Sequence, residues 1–177
     1  MIITISGLHG TGKSTIGKKI AETFNFRYYS TGEAFRDLAK EQNMSLKEFT
    51  EFAEKNPEID IMLDKKINNI AIKGNIIIDS QLSAYILKDK ANFKILLRCP
   101  LETRIKRMSN RDETNYKEKI DETLRREWSE ARRFKKLYNI DLQDEKVIRE
   151  LYNIIIDTEK LSIEEIVDNV VAEIKKS

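Results

Sequence analysis

Short apolar runs alternate with helix-like segments along the whole chain. The apolar runs lie at 2–6, 27–29, 75–79, 93–98 and 153–157. Between them, apolar side chains recur at intervals of three and four residues, which is the spacing of one face of a helix. Runs that are apolar without alternation are typical of parallel strands covered on both faces. The pattern therefore predicts an α/β fold of three layers, with a five-stranded parallel sheet and helices on both faces.

Several helix ends are marked by their capping residues. Ser45 and Glu48 form a capping box before an apolar stripe, and Ser162 and Glu165 form a second one. A further helix is expected between a proline at position 57 and Gly74. We find no repeat, low-complexity tract or linker, and 177 residues suffice for one good core. The chain is therefore predicted to be a single domain, 1–177.

The segment directly after the first predicted strand reads G-L-H-G-T-G-K-S, a full match to the phosphate loop of nucleotide-binding proteins. Backbone N–H groups of such a loop point at a di- or triphosphate, and the following helix adds its partial positive charge. The lysine reaches the β- and γ-phosphates, and the serine hydroxyl holds Mg²⁺. We predict that a nucleoside triphosphate is bound by Gly7, Leu8, His9, Gly10, Thr11, Gly12, Lys13, Ser14 and Thr15.

Composition excludes several other classes of protein. Cys99 is the only cysteine and His9 the only histidine, so neither a disulfide within the chain nor a cysteine- or histidine-rich metal site is possible. The formal net charge is +2 with 35% charged residues, a balance that does not suggest a nucleic-acid binder. No run of 18 apolar residues occurs, and the first residues resemble a strand, so we expect neither a membrane span nor a signal peptide.

A second candidate site follows the second predicted strand, where the chain reads S-T-G-E-A-F-R at 30–36. Arg36 lies one turn into the next predicted helix, where a guanidinium can grip a phosphate through two hydrogen bonds. Alternatively, Arg36 is a surface residue paired with Glu33 three positions before it.

The segment 104–136 is rich in charge, with 12 Lys and Arg against 7 Asp and Glu. It is expected to form a solvated helical pair rather than core. Arg104, Arg107 and Arg111 share one helical face, and Arg126 and Arg133 are seven residues apart. Such arginines can stabilise a transferring phosphoryl group when a mobile lid closes. In the alternative interpretation, they simply pair with the glutamates of the same segment.

The phosphate loop, the S-T-G-E-x-x-R turn and a third strand ending in an acid together resemble the nucleoside monophosphate kinases. More closely, the chain resembles the archaeal type of cytidylate kinase. The resemblance is carried by M-S-L-K-E-F at 44–49, A-E-K-N-P-E-I-D at 53–60, K-G-N at 73–75, P-L-E-T-R at 100–104, S-E-A-R-R-F at 129–134 and Y-N-I-D at 138–141. It implies transfer of a phosphoryl group from ATP to CMP or dCMP with Mg²⁺. A cytoplasmic monomer is then expected, whose partners are nucleotides and not nucleic acid or a membrane.

The resemblance also implies how the chain is divided and which residues act. The expected core comprises 1–31, 74–103 and 140–177, with a segment binding the monophosphate at 32–73 and a lid at about 104–139. The catalytic residues would be Lys13, Arg107, Arg126 and Arg133. The acceptor would be bound by Thr31, Gly32, Arg36, Asp79, Gln81 and Tyr85. The metal would be held by Ser14 and, through water, by Asp79.

The chain departs from this family after its third predicted strand. The family usually has E-G-R-L-A there, whereas this chain reads D-S-Q-L-S at 79–83. Asp79 keeps the acid, but Gln81 replaces an arginine expected near the acceptor, so a kinase of AMP, UMP or a small metabolite stays a possible alternative. A GTPase switch is disfavoured because neither an N-K-x-D segment nor a D-x-x-G after strand three occurs. An ATP-dependent RNA-binding module is disfavoured because acids interrupt the basic segment.

Overall fold

The computed structural model of the protein describes residues 1–176 and contains a five-stranded parallel sheet with the strand order β2-β3-β1-β4-β5. The strands are β1 (Ile2–Ser6), β2 (Arg27–Ser30), β3 (Ile76–Asp79), β4 (Phe93–Arg98) and β5 (Ile154–Asp157). Each predicted strand is present within one residue at either end. Non-alternating apolar runs identified the strands because both faces of the sheet are covered.

Helices connect the strands and cover the sheet. They are α1 (Lys13–Phe24), α2 (Thr31–Glu41), α3 (Leu46–Lys55), α4 (Glu58–Ala71), α5 (Ser83–Ile86), α6 (Leu101–Asp112), α7 (Tyr116–Tyr138), α8 (Glu145–Leu151) and α9 (Ile163–Lys176). The predicted capping box of Ser45 and Glu48 is formed at α3, and Ser162 and Glu165 exchange the same two hydrogen bonds before α9. Within the described residues, no helix is long and apolar enough to cross a membrane.

Strand β3 shows how both faces of the sheet are buried. Ile77 points into the main core with α1 and α9, while Ile76 and Ile78 point to a second cluster with α4. Successive side chains of a strand face opposite sides, so an all-apolar strand needs a helical layer on each side. The structure therefore confirms the predicted three-layer α/β fold.

A separate small core holds together the helices α2, α3 and α4. Its buried members are Phe35, Ala39, Phe49, Ala53 and Leu63. This helical unit falls within the segment 32–73 that was expected to bind the acceptor. Ser30 caps α2 by accepting a hydrogen bond from the backbone N–H of Glu33, so the unit begins directly at the end of β2.

The expectation that the segment 104–136 forms a solvated helical pair rather than core holds only in part. The structure forms the pair as α6 and α7, but Arg104, Lys119 and Arg133 are all less than 9% exposed. Each of these cations is paired with a carboxylate. Polar composition did not predict this burial because the acids that permit it lie one or more turns away or on another helix. The last residue of the predicted core, Ser177, lies outside the described residues.

Candidate active site

The phosphate loop lies at the carboxyl end of β1, the central strand, and α1 begins at its lysine. Two glycines of the loop have no room for a side chain. A Cβ atom on Gly7 would lie 2.5 Å from the carbonyl oxygen of Leu97, and one on Gly10 would lie 2.8 Å from that of Arg104. Both glycines also have positive φ values, of 146° and 79°. The loop is thus packed tightly against β4 and α6.

The side chain of Lys13 is folded back onto the loop. Its Nζ donates a hydrogen bond to the carbonyl oxygen of Leu8 at 3.0 Å. Burial lowers the pKa of Lys13, and the nearby carboxylates of Asp79, Glu130 and Glu127 oppose that shift. Lys13 lines a polar cleft together with Asp79 and Glu130.

Asp79 ends β3 and is surrounded by hydroxyl groups. Its Oδ2 accepts hydrogen bonds from Ser14 Oγ at 2.8 Å, Tyr28 Oη at 2.7 Å and Ser30 Oγ at 3.5 Å. The parallel register brings these residues together, since Ile5 and Ser30 both pair with Asp79 at the ends of their strands. A carboxylate beside a hydroxyl is a donor set that suits Mg²⁺. Ser14 and Asp79 therefore fit the predicted metal site.

The acceptor turn lies on the same cleft. Thr31, Gly32 and Arg36 all line it, together with Lys13 and Ser14. The alternative pairing of Arg36 with Glu33 is wrong. Glu33 pairs with Lys18 at 2.8 Å, and within residues 1–176 the side chain of Arg36 has no ion pair or hydrogen bond. The helix directs Glu33 toward α1 and leaves the guanidinium of Arg36 in the cleft.

Helix α7, which lies in the segment predicted to form a lid, also supplies cations to the cleft. Arg126 and Arg133 both line the cleft. Arg126 lies 3.7 Å from Glu130, and Arg133 Nε donates to Asp60 Oδ2 on α4 at 2.7 Å. Both are thus anchored by carboxylates while they face the space between the loop and the acceptor turn.

Arg107 is placed differently from the other predicted catalytic residues. It does not line the cleft; its guanidinium donates to the hydroxyl and carbonyl oxygens of Thr158, at 2.9 and 2.6 Å. Thr158 in turn donates to the carbonyl oxygen of Thr11 at 3.1 Å. In this structure, Arg107 braces the phosphate loop from outside the cleft, because i, i+3 spacing on α6 does not decide which part of that helix faces the ligand.

The side chain of Gln81 is hydrogen-bonded to helix α7. Its amide nitrogen donates to Glu130 Oε2 at 2.6 Å, and His9 Nε2 lies 2.8 Å from the same oxygen. Burial acts to raise the pKa of Glu130, but the charges of His9, Arg126 and Arg133 and the His9 hydrogen bond outweigh it and lower that pKa to about 2. The phosphate loop, the end of β3 and α7 are therefore joined at one ionised carboxylate.

The expected contact of Tyr85 with an acceptor base is not supported by its position. Tyr85 lines a separate cavity of about 40 Å³, together with Gly7, Leu8, Gln81 and others. Its ring packs against the cluster that contains Ile148 and Tyr152. The single turn of α5 directs the ring away from the cleft, and apolar packing against α8 holds it there.

Four functional candidates were missed when the sequence was read. Tyr28 donates a hydrogen bond to Asp79, and Asp60 is paired with Arg133. Glu130 of α7 is hydrogen-bonded to His9 of the phosphate loop, and Asp64 also lines the cleft. Asp60 and Glu130 lie inside the P-E-I-D and S-E-A-R-R-F motifs, which therefore contained the signal. For Asp64 and Tyr28 the sequence contained no such signal, because no neighbouring residue indicates that they face a ligand.

The phosphate loop follows the central strand of a five-stranded parallel sheet. Arginines of α7 line the same cleft as the arginine that follows the second strand. These features define a P-loop kinase. The chain belongs to the Cytidylate kinase-like family, whose family model matches residues 2–160. The family predicted from the sequence motifs is thus confirmed.

Named relatives cover nearly all of the chain. The cytidylate kinase of Aeropyrum pernix is 39% identical over 161 residues, which are 91% of this chain and 91% of the relative. The cytidylate kinase of Methanocaldococcus jannaschii is 40% identical over an alignment that covers 99% of this chain and all of the relative.

Solved structures support the fold. An uncharacterised protein from Eubacterium ventriosum superimposes with a TM-score of 0.74 at 20% identity, covering 100% of this chain and 99% of that one. Shikimate kinase from Acinetobacter baumannii, solved with shikimate, superimposes with a TM-score of 0.61 at 15% identity, covering 99% and 93%. At these identities the likeness concerns the fold alone.

Proposed function

We propose that the protein transfers the γ-phosphoryl group of ATP to CMP or dCMP, giving ADP and CDP or dCDP. One observation carries this proposal: the phosphate loop, Arg36 and the lid arginines Arg126 and Arg133 line a single cleft. A donor and an acceptor phosphate can then lie between the same cations. The cytidylate kinases at about 40% identity support the choice of acceptor. We expect it to act as a cytoplasmic monomer on nucleotides alone.

The donor side is formed by the loop. Backbone N–H groups from His9 to Ser14 and the start of α1 would bind the triphosphate, and Lys13 would exchange its bond to Leu8 for the β- and γ-phosphates. Bound Mg²⁺ would be held by Ser14 and, through water, by Asp79, and it would neutralise charge on the phosphate oxygens.

The acceptor side is formed by α2 and the lid. Arg36, free of protein partners within the described chain, would hold the phosphate of the monophosphate. Thr31, Gly32 and Gln81 line the same cleft and would contact the monophosphate beside Arg36. Phosphoryl transfer requires positioning and charge stabilisation rather than covalent chemistry, so Arg126 and Arg133 would stabilise the transferring group.

A different acceptor is the second candidate, because Gln81 stands where the family usually has an arginine. In the structure, Gln81 donates to Glu130, so the amide still reaches the carboxylate that an arginine could pair with. This contact favours retention of the CMP site over a new specificity.

The function is tested by measuring ADP release with CMP, dCMP, UMP and AMP as acceptors. CMP or dCMP should give the highest kcat/KM. Lys13→Ala should lower turnover at least about 100-fold, since one preorganised charge partner of a transition state contributes about 10²–10³. Lys73→Ala, which changes an exposed lysine outside the cleft, is the matched control and should leave turnover within twofold of the parent.

Two results would contradict the proposal in different ways. A tenfold preference for AMP over CMP would overturn the substrate while leaving the kinase reaction in place. Turnover of Lys13→Ala within tenfold of the parent, with an unchanged circular dichroism spectrum, would overturn the reaction itself.

A further inference from the structure

Asp64 differs from the other carboxylates that line the cleft. Asp79 accepts three hydroxyl hydrogen bonds, Asp60 is paired with a guanidinium, and Glu130 is bonded to an imidazole and an amide. Within residues 1–176, Asp64 forms no ion pair, and the hydrogen bond that it accepts comes from the phenol of Tyr138 on α7. A carboxylate has room for about four hydrogen bonds, so most of the accepting capacity of Asp64 is unused.

The electrostatic surroundings of Asp64 do not compensate its charge. Burial and the neighbouring charge of Asp60 raise the pKa of Asp64 to about 6, although the hydrogen bond from Tyr138 acts in the opposite direction. An apolar or amide side chain would avoid this cost. A partly buried carboxylate that lacks a cation is therefore ready to receive a donor from a bound molecule.

The position of Asp64 indicates which part of the acceptor nucleotide it can contact. It lies on α4, in the same cleft as Arg36, within the helical unit that α2, α3 and α4 form. Thr31, at the start of α2, also lines the cleft. If Arg36 holds the phosphate of the monophosphate, the base extends along this wall, between α2 and α4 on one side and α7 on the other.

We propose that Asp64 accepts a hydrogen bond from the exocyclic amino group of the acceptor base and thereby selects cytosine over uracil. This inference rests on the proposed function and deepens it. Cytosine presents N–H donors at its C4 position, whereas uracil presents a carbonyl oxygen there. An ionised carboxylate binds the amino group and repels the carbonyl, and a polar group of the site that is left unpaired makes such discrimination strong.

The first test is Asp64→Asn, an isosteric change that removes the charge. An amide can donate to the uracil carbonyl as well as accept from the cytosine amino group. The ratio of kcat/KM for CMP over UMP should fall about 10- to 100-fold, through a higher KM for CMP and a lower one for UMP, while the KM for ATP stays within twofold. Asp37→Asn, at an exposed aspartate of α2, should leave the ratio unchanged.

Tyr138→Phe separates base recognition from helix packing. This variant removes the hydrogen bond from Tyr138 to Asp64, one of the contacts between α4 and α7, but keeps the carboxylate. Because the lost hydrogen bond lowers the pKa of Asp64, the CMP-to-UMP ratio is measured at pH 8, where the carboxylate is ionised, and the proposal expects it to stay within threefold of the parent. If Tyr138→Phe and Asp64→Asn lower the ratio equally, Asp64 acts through packing, and the proposal is overturned.

The pH dependence of the unmodified protein gives a readout that needs no variant to fold. Protonated Asp64 loses its charge and gains an O–H that can donate to the uracil carbonyl, so the CMP-to-UMP ratio should fall as the pH is lowered from 8 through about 6. The nucleotide phosphates titrate alike and cancel in the ratio. The other titratable groups near Asp64 are Asp60, Tyr138 and Tyr29. Burial raises the pKa of Asp60, which is paired with Arg133 of α7, and the pKa values of the two tyrosines are raised away from this range. Asp64→Asn should make the ratio independent of pH.

The outcomes are distinct for the two proposals. A parent that prefers CMP, with a ratio that neither Asp64→Asn nor pH changes, overturns the role of Asp64 and leaves the kinase function standing. A parent that phosphorylates neither pyrimidine nucleotide overturns the proposed function and, with it, this inference.

Discussion

At the scale of single residues, the cleft contains two kinds of cation. Arg126 and Arg133 are held by carboxylates before any ligand is bound, whereas Arg36 has no such partner in the described chain. An arginine held by a carboxylate is oriented but partly neutralised. A free one retains its full capacity for a bidentate bond to phosphate, at the cost of ordering its side chain on binding.

Arg36→Ala should therefore raise the KM for the monophosphate at least about 10-fold while changing the KM for ATP less than about twofold, because a charge-assisted bidentate contact is lost on one side only. Steady-state kinetics with each substrate varied in turn measures both constants. Arg149→Ala, an exposed arginine of α8, is the control. Equal changes in the two constants would show that Arg36 is structural or belongs to the donor site.

At the scale of elements, α7 connects parts of the molecule that lie far apart in the chain. It contacts the phosphate loop through Glu127 and Glu130, and it contacts α4 through Arg133 and Tyr138. Hydrogen bonds from a lid to both substrate-binding parts couple lid position to the shape of the cleft. The ion pair between Asp60 and Arg133 is the most buried of these links, with both side chains 8% exposed.

A double-mutant cycle on Asp60→Asn and Arg133→Gln should show this coupling. Each single change should cost about 3 kcal/mol of unfolding free energy, because it leaves a buried partner unpaired. The double variant should cost less than the sum, with a coupling energy of about 1–3 kcal/mol. Urea unfolding monitored by circular dichroism gives the four values.

The exposed pair of Asp37 and Lys40 on α2 is the matched comparison. Its cycle should give less than about 1 kcal/mol, since solvent screens both charges. A coupling energy near zero for Asp60 and Arg133 would show that α4 and α7 are not linked by this pair in solution.

At the scale of the whole molecule, ligands should stabilise the fold because the cleft lies between the sheet, the α2–α4 unit and the lid. ADP with Mg²⁺ at 100 times its Kd should stabilise the parent by about 2.7 kcal/mol, which corresponds to roughly 5–11 °C in Tm. Differential scanning fluorimetry measures the shift. Lys13→Ala should lose most of it at the same ADP concentration, while Lys73→Ala should keep it. A full shift in Lys13→Ala would place the nucleotide elsewhere.

Local sequence was sufficient for the features that depend on neighbours in the chain. The strands could be predicted because a short apolar run without alternation is typical of a parallel strand that is covered on both faces. The phosphate loop could be predicted because its glycines, Lys13 and Ser14 act within eight consecutive residues. The family followed from motifs such as P-E-I-D, and the family model confirms it.

Tertiary structure alone decided which distant groups meet. The sequence did not indicate that Gln81 and His9 share Glu130, that Asp60 holds Arg133, or that Tyr85 turns away from the cleft. Spacing along a helix selects a face but not what lies opposite it, and the energy of a buried charge depends on partners up to 121 residues away. The sequence by itself therefore determined the scaffold and the position of the phosphate loop, whereas packing decided which side chains of distant segments line the cleft beside it.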